Sequence, residues 1–204
     1  MHVEEAIQNI RLAQEQADGS LLSFQGSRTK SALIATQASK TISITEHSGI
    51  VAYDPSEYLI TARSGTFLTE LDSALRENNQ CMPFDPLFIK QGATLGGTIA
   101  SGLNGPVSML RGKLRDSLMA IEMIDGLGNS GRGGGRVVKN AAGFDIPKLM
   151  IGSNGRFGLI TEATLKVYPR PAAFRTIIVD GSVQALLEIA CKIQQKNLPL
   201  AGLN

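Results

Sequence analysis

Apolar residues recur at helical spacing at the start of the chain, where Val3, Ile7, Ile10 and Ala17 predict an amphipathic helix over residues 3–17. Asp18-Gly19 ends it. Leu21-Leu22-Ser23-Phe24 then predicts a strand, and the alternation in Thr41-Ile42-Ser43-Ile44-Thr45 predicts a second. Tyr58 to Ala62 predicts a buried strand. Leu68, Leu71 and Leu75 share the inner face of a helix from Phe67 to Asn78, with Thr66 placed to cap it. Pro83 and Pro86 mark a loop and a first boundary.

The pattern resumes with a short helix around Thr98–Leu103 and a strand from Leu118 to Asp125. Gly126-Leu127-Gly128-Asn129 turns that strand into a hairpin, with a return strand near Arg136–Lys139. Asp145–Met150 predicts a short helix. In the long strand Leu159–Tyr168, residues Leu159, Thr161, Ala163, Leu165 and Val167 fall on one face. Met119 and Met123 are expected in the core. Pro169 and Pro171 mark a second boundary, followed by a strand, Arg175–Val179, and a helix, Ser182–Lys196. A lone strand and helix bury little area, so this last part reads as the opening of a further domain. The organisation expected is 1–85, 86–171 and 172–204.

Composition changes this picture at one point. Apolar residues make up 43% and charged residues 19%, as in a globular protein with a real core. The net charge of +2 does not imply nucleic acid or an anionic membrane. Glycine is the outlier: 22 of 204 residues, well above the roughly 7% average. The excess lies between Gly92 and Gly158, where backbone must adopt unusual angles or approach something closely. Cys81 and Cys191 have no metal-ligand spacing, and His2 and His47 are too few for a histidine metal cluster, so no metal is expected. Glu4, Glu5 and Arg11 interrupt the first apolar positions, which argues against a signal peptide. No apolar run reaches the roughly 20 residues that span a bilayer. A cytosolic location is the default.

Three segments carry candidate chemistry. Gln25-Gly26-Ser27-Arg28-Thr29-Lys30-Ser31 directly follows a strand, and successive N–H groups in a tight turn form a concave anion site. Hydroxyls and two cations would reinforce it; the bland alternative is a solvated polar turn. Gly92 to Gly105 holds five glycines in fourteen residues. Such a run lets a ligand lie on the main chain, and a helix start near Thr98 would aim N–H groups at an anion. Its alternative is tight helix packing. The segment matches neither GxGxxG nor the Walker pattern. Arg111, Lys113 and Arg115 form a basic cluster that could face phosphates or an anionic ring, or simply water. Arg132-Gly133-Gly134-Gly135-Arg136 resembles an RNA-binding RGG segment, but it is short and sits in a predicted hairpin. His47 reads as an exposed loop residue.

Together these segments resemble the FAD-binding domain of the vanillyl-alcohol-oxidase (PCMH) family. The carriers are residues 25–31; Tyr53-Asp54-Pro55-Ser56-Glu57 leading to Thr61–Thr66; Gly92 to Gly105; Arg111 to Asp116; Val137–Asp145 with Lys139-Asn140 and Gly143; and Leu149–Gly155 with Phe157–Glu162. The match runs from about residue 20 to Pro171, and is closest in the branch of FAD-binding subunits of bacterial glycolate oxidases. The resemblance implies an α+β fold of two subdomains clamping FAD, followed by the start of a truncated substrate (cap) domain. It implies pyrophosphate on Gln25, Gly26, Ser27, Arg28, Thr29 and Lys30. Gly92, Ala93, Thr94, Gly96, Gly97, Ser101 and Gly102 would line the flavin side, and the backbone at Ile160 would meet the adenine or ribose. Arg111 and Arg115 would complete the cofactor set.

The activity implied is oxidation of a small 2-hydroxy acid by hydride transfer to flavin, with no catalytic base identified. The partners implied are a second flavin subunit and an iron–sulfur subunit, through which any membrane association would come. Alternatives are a D-lactate-dehydrogenase-like flavoenzyme and a non-catalytic flavin-binding scaffold. Three departures matter. Ser27 and Arg28 stand where the family has glycine or another small residue, and a positive φ at Ser27, if the loop needs one, would cost energy. The loop has no histidine or cysteine to bond the flavin, so FAD should be non-covalent. The family's substrate domain is largely missing after Asn204, which reads as a fragment or truncated product.

Overall fold

The computed structural model describes residues 3–15, 22–30, 32, 40–106, 112–135, 144–173 and 175–196. Its architecture is the α+β one expected. Helix α1 (Val3–Glu15) precedes strands β1 (Leu22–Gln25) and β2 (Lys40–Ser43), which pair in parallel. Strands β3 (Ile50–Asp54), β4 (Leu59–Arg63), β6 (Leu118–Ile124), β7 (Ser130–Gly134) and β8 (Leu159–Lys166) form one antiparallel sheet, ordered β3-β4-β8-β6-β7. A third, two-stranded sheet joins β5 (Gln80–Cys81) to β9 (Tyr168–Pro169). Because β4 pairs with β8, segments on both sides of residue 85 share the large sheet.

Strand β8 is central, so burial overrides its alternation. Ile160 and Thr164 are buried along with Leu159, Thr161, Ala163, Leu165 and Val167. Helix α2 (Leu68–Glu77) buries Leu68, Leu71 and Leu75 as predicted. They pack with Leu95 and Ile99 of helix α3 (Leu95–Ser101) and Met150 of α5 (Ile146–Met150) against Ile60, Ala62, Ile121 and Leu165. Truncating one of these fully buried side chains to alanine costs about 2–5 kcal/mol. A second cluster joins Ala6 and Ile10 of α1 to Ile44, Ile124 and Leu159. Met119 and Met123 are only half-buried; Met123 lies at the rim of the main core.

Several expectations are corrected. Thr66 does not cap α2, whose N-cap is Phe67 with no side-chain bond. The Thr66 hydroxyl instead accepts from the Gly49 N–H at 2.9 Å and donates to the Gly49 carbonyl at 3.2 Å, fastening two loops. The hairpin returns at once as β7, because the Asp125 carboxylate accepts from the N–H groups of Leu127 and Asn129 and closes the turn tightly. The predicted return strand near 136–139 lies outside the described residues. Two glycines of β7, Gly133 and Gly134, follow from packing: a Cβ at Gly133 would sit 2.5 Å from the Cβ of Ile146 in α5, and one at Gly134 would collide with the Met119 carbonyl. Strand β3 was not predicted, since none of its residues is fully buried and Val51 and Asp54 are exposed. Residues 175–179 form no strand, and Ile177 and Ile178 are exposed. The final helix, α6 (Val183–Gln195), is capped by Ser182 and buries none of its residues. Among the described residues no helix is long and apolar enough to cross a membrane.

Candidate cofactor-binding site

The chain leaves β1 at Gln25 and enters a turn, residues 26–30. Among the described residues, none accepts a bond from the backbone N–H groups of Ser27, Arg28 or Thr29. The positive φ falls at Arg28, at 61°, and Ser27 does not need one. A side chain in that region costs about 1–2 kcal/mol. Gly26 packs against the start of α3, where a Cβ would collide with Thr94 Oγ1. The first two sequence candidates are thus in contact.

Thr94 caps α3, its hydroxyl accepting from the Gly97 N–H at 3.3 Å. The Leu95 N–H donates to the Thr66 carbonyl, the Gly96 N–H to the Ser64 carbonyl, and the Thr98 N–H to the Thr94 carbonyl. The helix starts earlier than predicted, and its first N–H groups are taken by protein, so it does not offer them to an anion. Gly96 is demanded by packing: a Cβ there would lie 2.7 Å from Ser64 Cβ. At Gly97 a Cβ would meet only Thr94 Oγ1, at 3.1 Å.

These elements border a cleft of about 730 Å³, within the usual range for small-molecule sites. Of the predicted residues it collects Gln25, Gly26, Ser27, Arg28, Thr29, Lys30, Thr94, Gly96, Gly97, Ser101 and Ile160. Gly92 and Gly102 do not border it; they adopt left-handed angles, against Phe67 and Gly152 respectively. Ala93 is buried in the core and Arg115 is exposed on α4 (Leu114–Ser117), also away from the cleft. Arg111 lies outside the described residues, as does the Val137–Gly143 part of the resemblance. The cleft also takes residues that sequence reasoning missed. Ile10, Ala13 and Gln14 come from α1, where their i, i+3, i+4 spacing was legible but their destination was not. Asn154, Gly155 and Arg156 come from the loop before β8, whose glycines were the available signal.

The cleft is electrostatically one-sided. Among the described residues, Arg28, Lys30 and Arg156 border it, against the single carboxylate of Asp125. That carboxylate is engaged by its own turn; hydrogen bonds from Asn129, then from Leu127 and Gly128, hold it below the usual range. Lys30 is buried, with 8% of its surface exposed, and burial pushes its pKa down. Its Nζ lies 3.4 Å from Thr98 Oγ1 and 5.9 Å from the centre of the Phe88 ring. Gln25 Oε1 is buried beside the cleft without a hydrogen-bond partner among the described residues. Apolar surface is supplied by Leu22, Phe24, Ile44 and Leu159. His47 lies elsewhere, half-buried rather than exposed as expected; burial first, then Arg63, lowers its pKa.

Turn amides, cations and a buried acceptor that lack partners among the described residues, beside an apolar wall, suit a ligand with phosphates at one part and flat rings at another. Residues 2–132 match the family described as FAD binding domain. The chain belongs to that family. Its cofactor is FAD, and the donor set of the cleft fits that group. The chain is 39% identical over 187 residues to glycolate oxidase subunit GlcE of Escherichia coli (strain K12), covering 92% of this chain and 53% of that protein. It is 33% identical to a D-lactate dehydrogenase of Anaerostipes hadrus, over 68% of this chain and 29% of the relative. It is 29% identical to glycolate oxidase subunit GlcD of Bacillus subtilis (strain 168), over 71% of this chain and 32% of the relative. The chain therefore spans about half or less of these relatives. A solved alkyldihydroxyacetonephosphate synthase shares the fold, with a TM-score of 0.67 at 22% identity over 83% of this chain and 31% of that one.

Proposed function

We propose that this chain is the FAD-holding part of a 2-hydroxy-acid oxidoreductase of the glycolate oxidase type. The observation that carries the reading is the cleft itself, where the turn 26–30, its cations and an apolar wall face one space. When bound, FAD supplies a two-electron acceptor for oxidation of the alcohol carbon. The chain's own residues bind and orient it. The amides of Ser27, Arg28 and Thr29, with Arg28, Lys30 and Arg156, hold the phosphates. Gly97, Ala100 and Ser101 present a low surface against which a flat ring can lie. Leu22, Phe24, Ile44 and Leu159 exclude water from the apolar part. Segments 1–85 and 86–171 each supply one side of this grip, although they share a sheet.

The relatives named as glycolate oxidase subunits favour a complex. A second flavin subunit and an iron–sulfur subunit are the partners assigned here, with any membrane contact made through them. Among the described residues bordering the cleft, the one carboxylate is occupied by its own turn. Substrate binding and proton removal are therefore assigned to groups outside this cleft. That same observation favours a second reading, in which the chain holds flavin without reacting with substrate. Titration of the purified chain with FAD, followed by addition of glycolate with and without partner subunits, separates them. A chain that takes up no FAD overturns the first reading. Flavin reduced by glycolate in the isolated chain overturns the second.

A further inference from the structure

Phe88 stands apart from the glycine-rich stretch that follows it. Its φ of 63° is left-handed, an arrangement a bulky side chain rarely adopts, and 41% of its surface is exposed. Neither burial nor turn chemistry explains why an aromatic residue occupies a position that glycine would fill without strain. What the ring does have is a cation: the Lys30 ammonium lies 5.9 Å from its centre, within cation–π reach. The same ammonium touches Thr98 Oγ1 on fully buried Thr98 of α3. Lys30 is itself buried and borders the cleft, and no carboxylate among the described residues pairs with it.

We propose that Phe88 is a positioning residue which, with Thr98, holds the Lys30 ammonium beside the cleft as a stored, uncompensated cation for an anionic group of the cofactor. The protein thereby keeps an unfavourable charge in place before the ligand arrives, and the ligand relieves it. Ring and hydroxyl stabilise the ammonium without neutralising it, whereas a carboxylate there would cancel the attraction it offers. The arrangement rests on FAD occupying the cleft. It goes beyond that reading by giving Phe88, outside the phosphate-binding turn, a part in affinity.

The signature is an opposition between stability and affinity that a merely structural lysine does not produce. Lys30→Met keeps the stem and removes the charge. It should raise the melting temperature of the cofactor-free chain while weakening FAD binding at least tenfold, and it should flatten the salt dependence of the dissociation constant. Phe88→Leu should weaken FAD binding severalfold, and Phe88→Tyr, which retains the ring, should restore it. Flavin fluorescence titrations at low and high salt read the affinity, and thermal unfolding of the cofactor-free chain reads the stability. A lower melting temperature in Lys30→Met, or unchanged FAD affinity in either Lys30→Met or Phe88→Leu, overturns the proposal. A wild-type chain that fails to bind FAD overturns the cofactor reading as well, so the two failures are distinguishable.

Discussion

The turn 26–30 and the glycine-rich stretch 92–102 both looked like places where backbone meets an anion, and the structure treats them in opposite ways. In the stretch, glycine serves the protein's own packing. Gly96 sits against Ser64, Gly102 against Gly152, and the first N–H groups of α3 are taken by Ser64, Thr66 and Thr94. In the turn, the amides of Ser27, Arg28 and Thr29 find no acceptor among the described residues, Arg28 is held at a left-handed angle, and Lys30 is buried with no carboxylate paired to it among those residues. Abundant glycine reports close approach of any kind, including helix against loop. Unpaired donors, strain and unpaired charge mark a ligand site more specifically, because each is unfavourable unless a ligand engages it.

The contrast is broken most forcefully at Gly96. A valine there must displace Ser64, so Gly96→Val should destabilise the cofactor-free chain by about 3 kcal/mol or more, the upper range for overpacking a core. Chemical denaturation without FAD measures it. A stable variant that merely loses FAD would mean that the glycine faces the ligand and not the protein.

Gly97→Val should do the reverse. Its Cβ meets only the Thr94 hydroxyl, which caps the helix through the Gly97 N–H, so the stability loss should stay within about 1 kcal/mol, the scale of a disturbed cap, offset in part because valine is the better helix former. FAD binding should fall at least tenfold, roughly 1.4 kcal/mol. Unchanged affinity would move the cofactor off α3.

Arg28→Gly tests strain in the turn. Relief of the left-handed penalty, roughly 1–2 kcal/mol, exceeds the roughly 0.5–1 kcal/mol entropic cost of glycine, so the cofactor-free chain should gain about 0.5–1 kcal/mol. FAD affinity should drop modestly and become less sensitive to salt, since one exposed cation is gone. A loss of stability would show that the Arg28 side chain is held by contacts worth more than the strain.

What was legible in the sequence follows the same division. Helix α2 could be read because its leucines keep one period, and strands β6 and β8 because each carries apolar residues over a run long enough to specify a buried strand. The turn was legible as a candidate because Gly26 and two cations follow a strand, but its standing over the glycine stretch depends on contacts between distant segments. Gly96 meets Ser64 across 32 positions (96 − 64), and Lys30 meets Thr98 across 68. The part played by α1 was hidden for the same reason: Ile10, Ala13 and Gln14 form an ordinary amphipathic face until tertiary packing sets them beside the cleft. Arg175–Val179 failed as a strand because an apolar run specifies a strand only where a sheet edge receives it.

The mildest test lies outside both regions, on the large sheet, and asks whether an unfavourable charge by itself signals a binding site. Arg63, Glu162, Glu122 and Arg132 form a cross-strand row through the pairings of β4, β8, β6 and β7. Two carboxylates are adjacent, and Arg132 reaches Glu122 at 3.8 Å. Burial first, then Glu122, raises the pKa of Glu162 against the opposing pull of Arg132 and Arg63. A carboxyl whose folded pKa lies above its unfolded value contributes stability that is full below the unfolded value, about 4.3, and is lost as pH rises through the folded one. Glu162→Gln should therefore stabilise the chain at neutral pH by roughly 0.2–1 kcal/mol, the scale of a like-charged cross-strand pair, with the gain vanishing near pH 4. Denaturation of both proteins at the two pH values checks it, and a gain that does not change with pH would refute the assignment. FAD affinity should not move, because Glu162 does not border the cleft. Glu162→Gln and Lys30→Met would then share a stabilising effect and differ only in their cost to the cofactor, which is the property that separates a binding charge from a merely strained one.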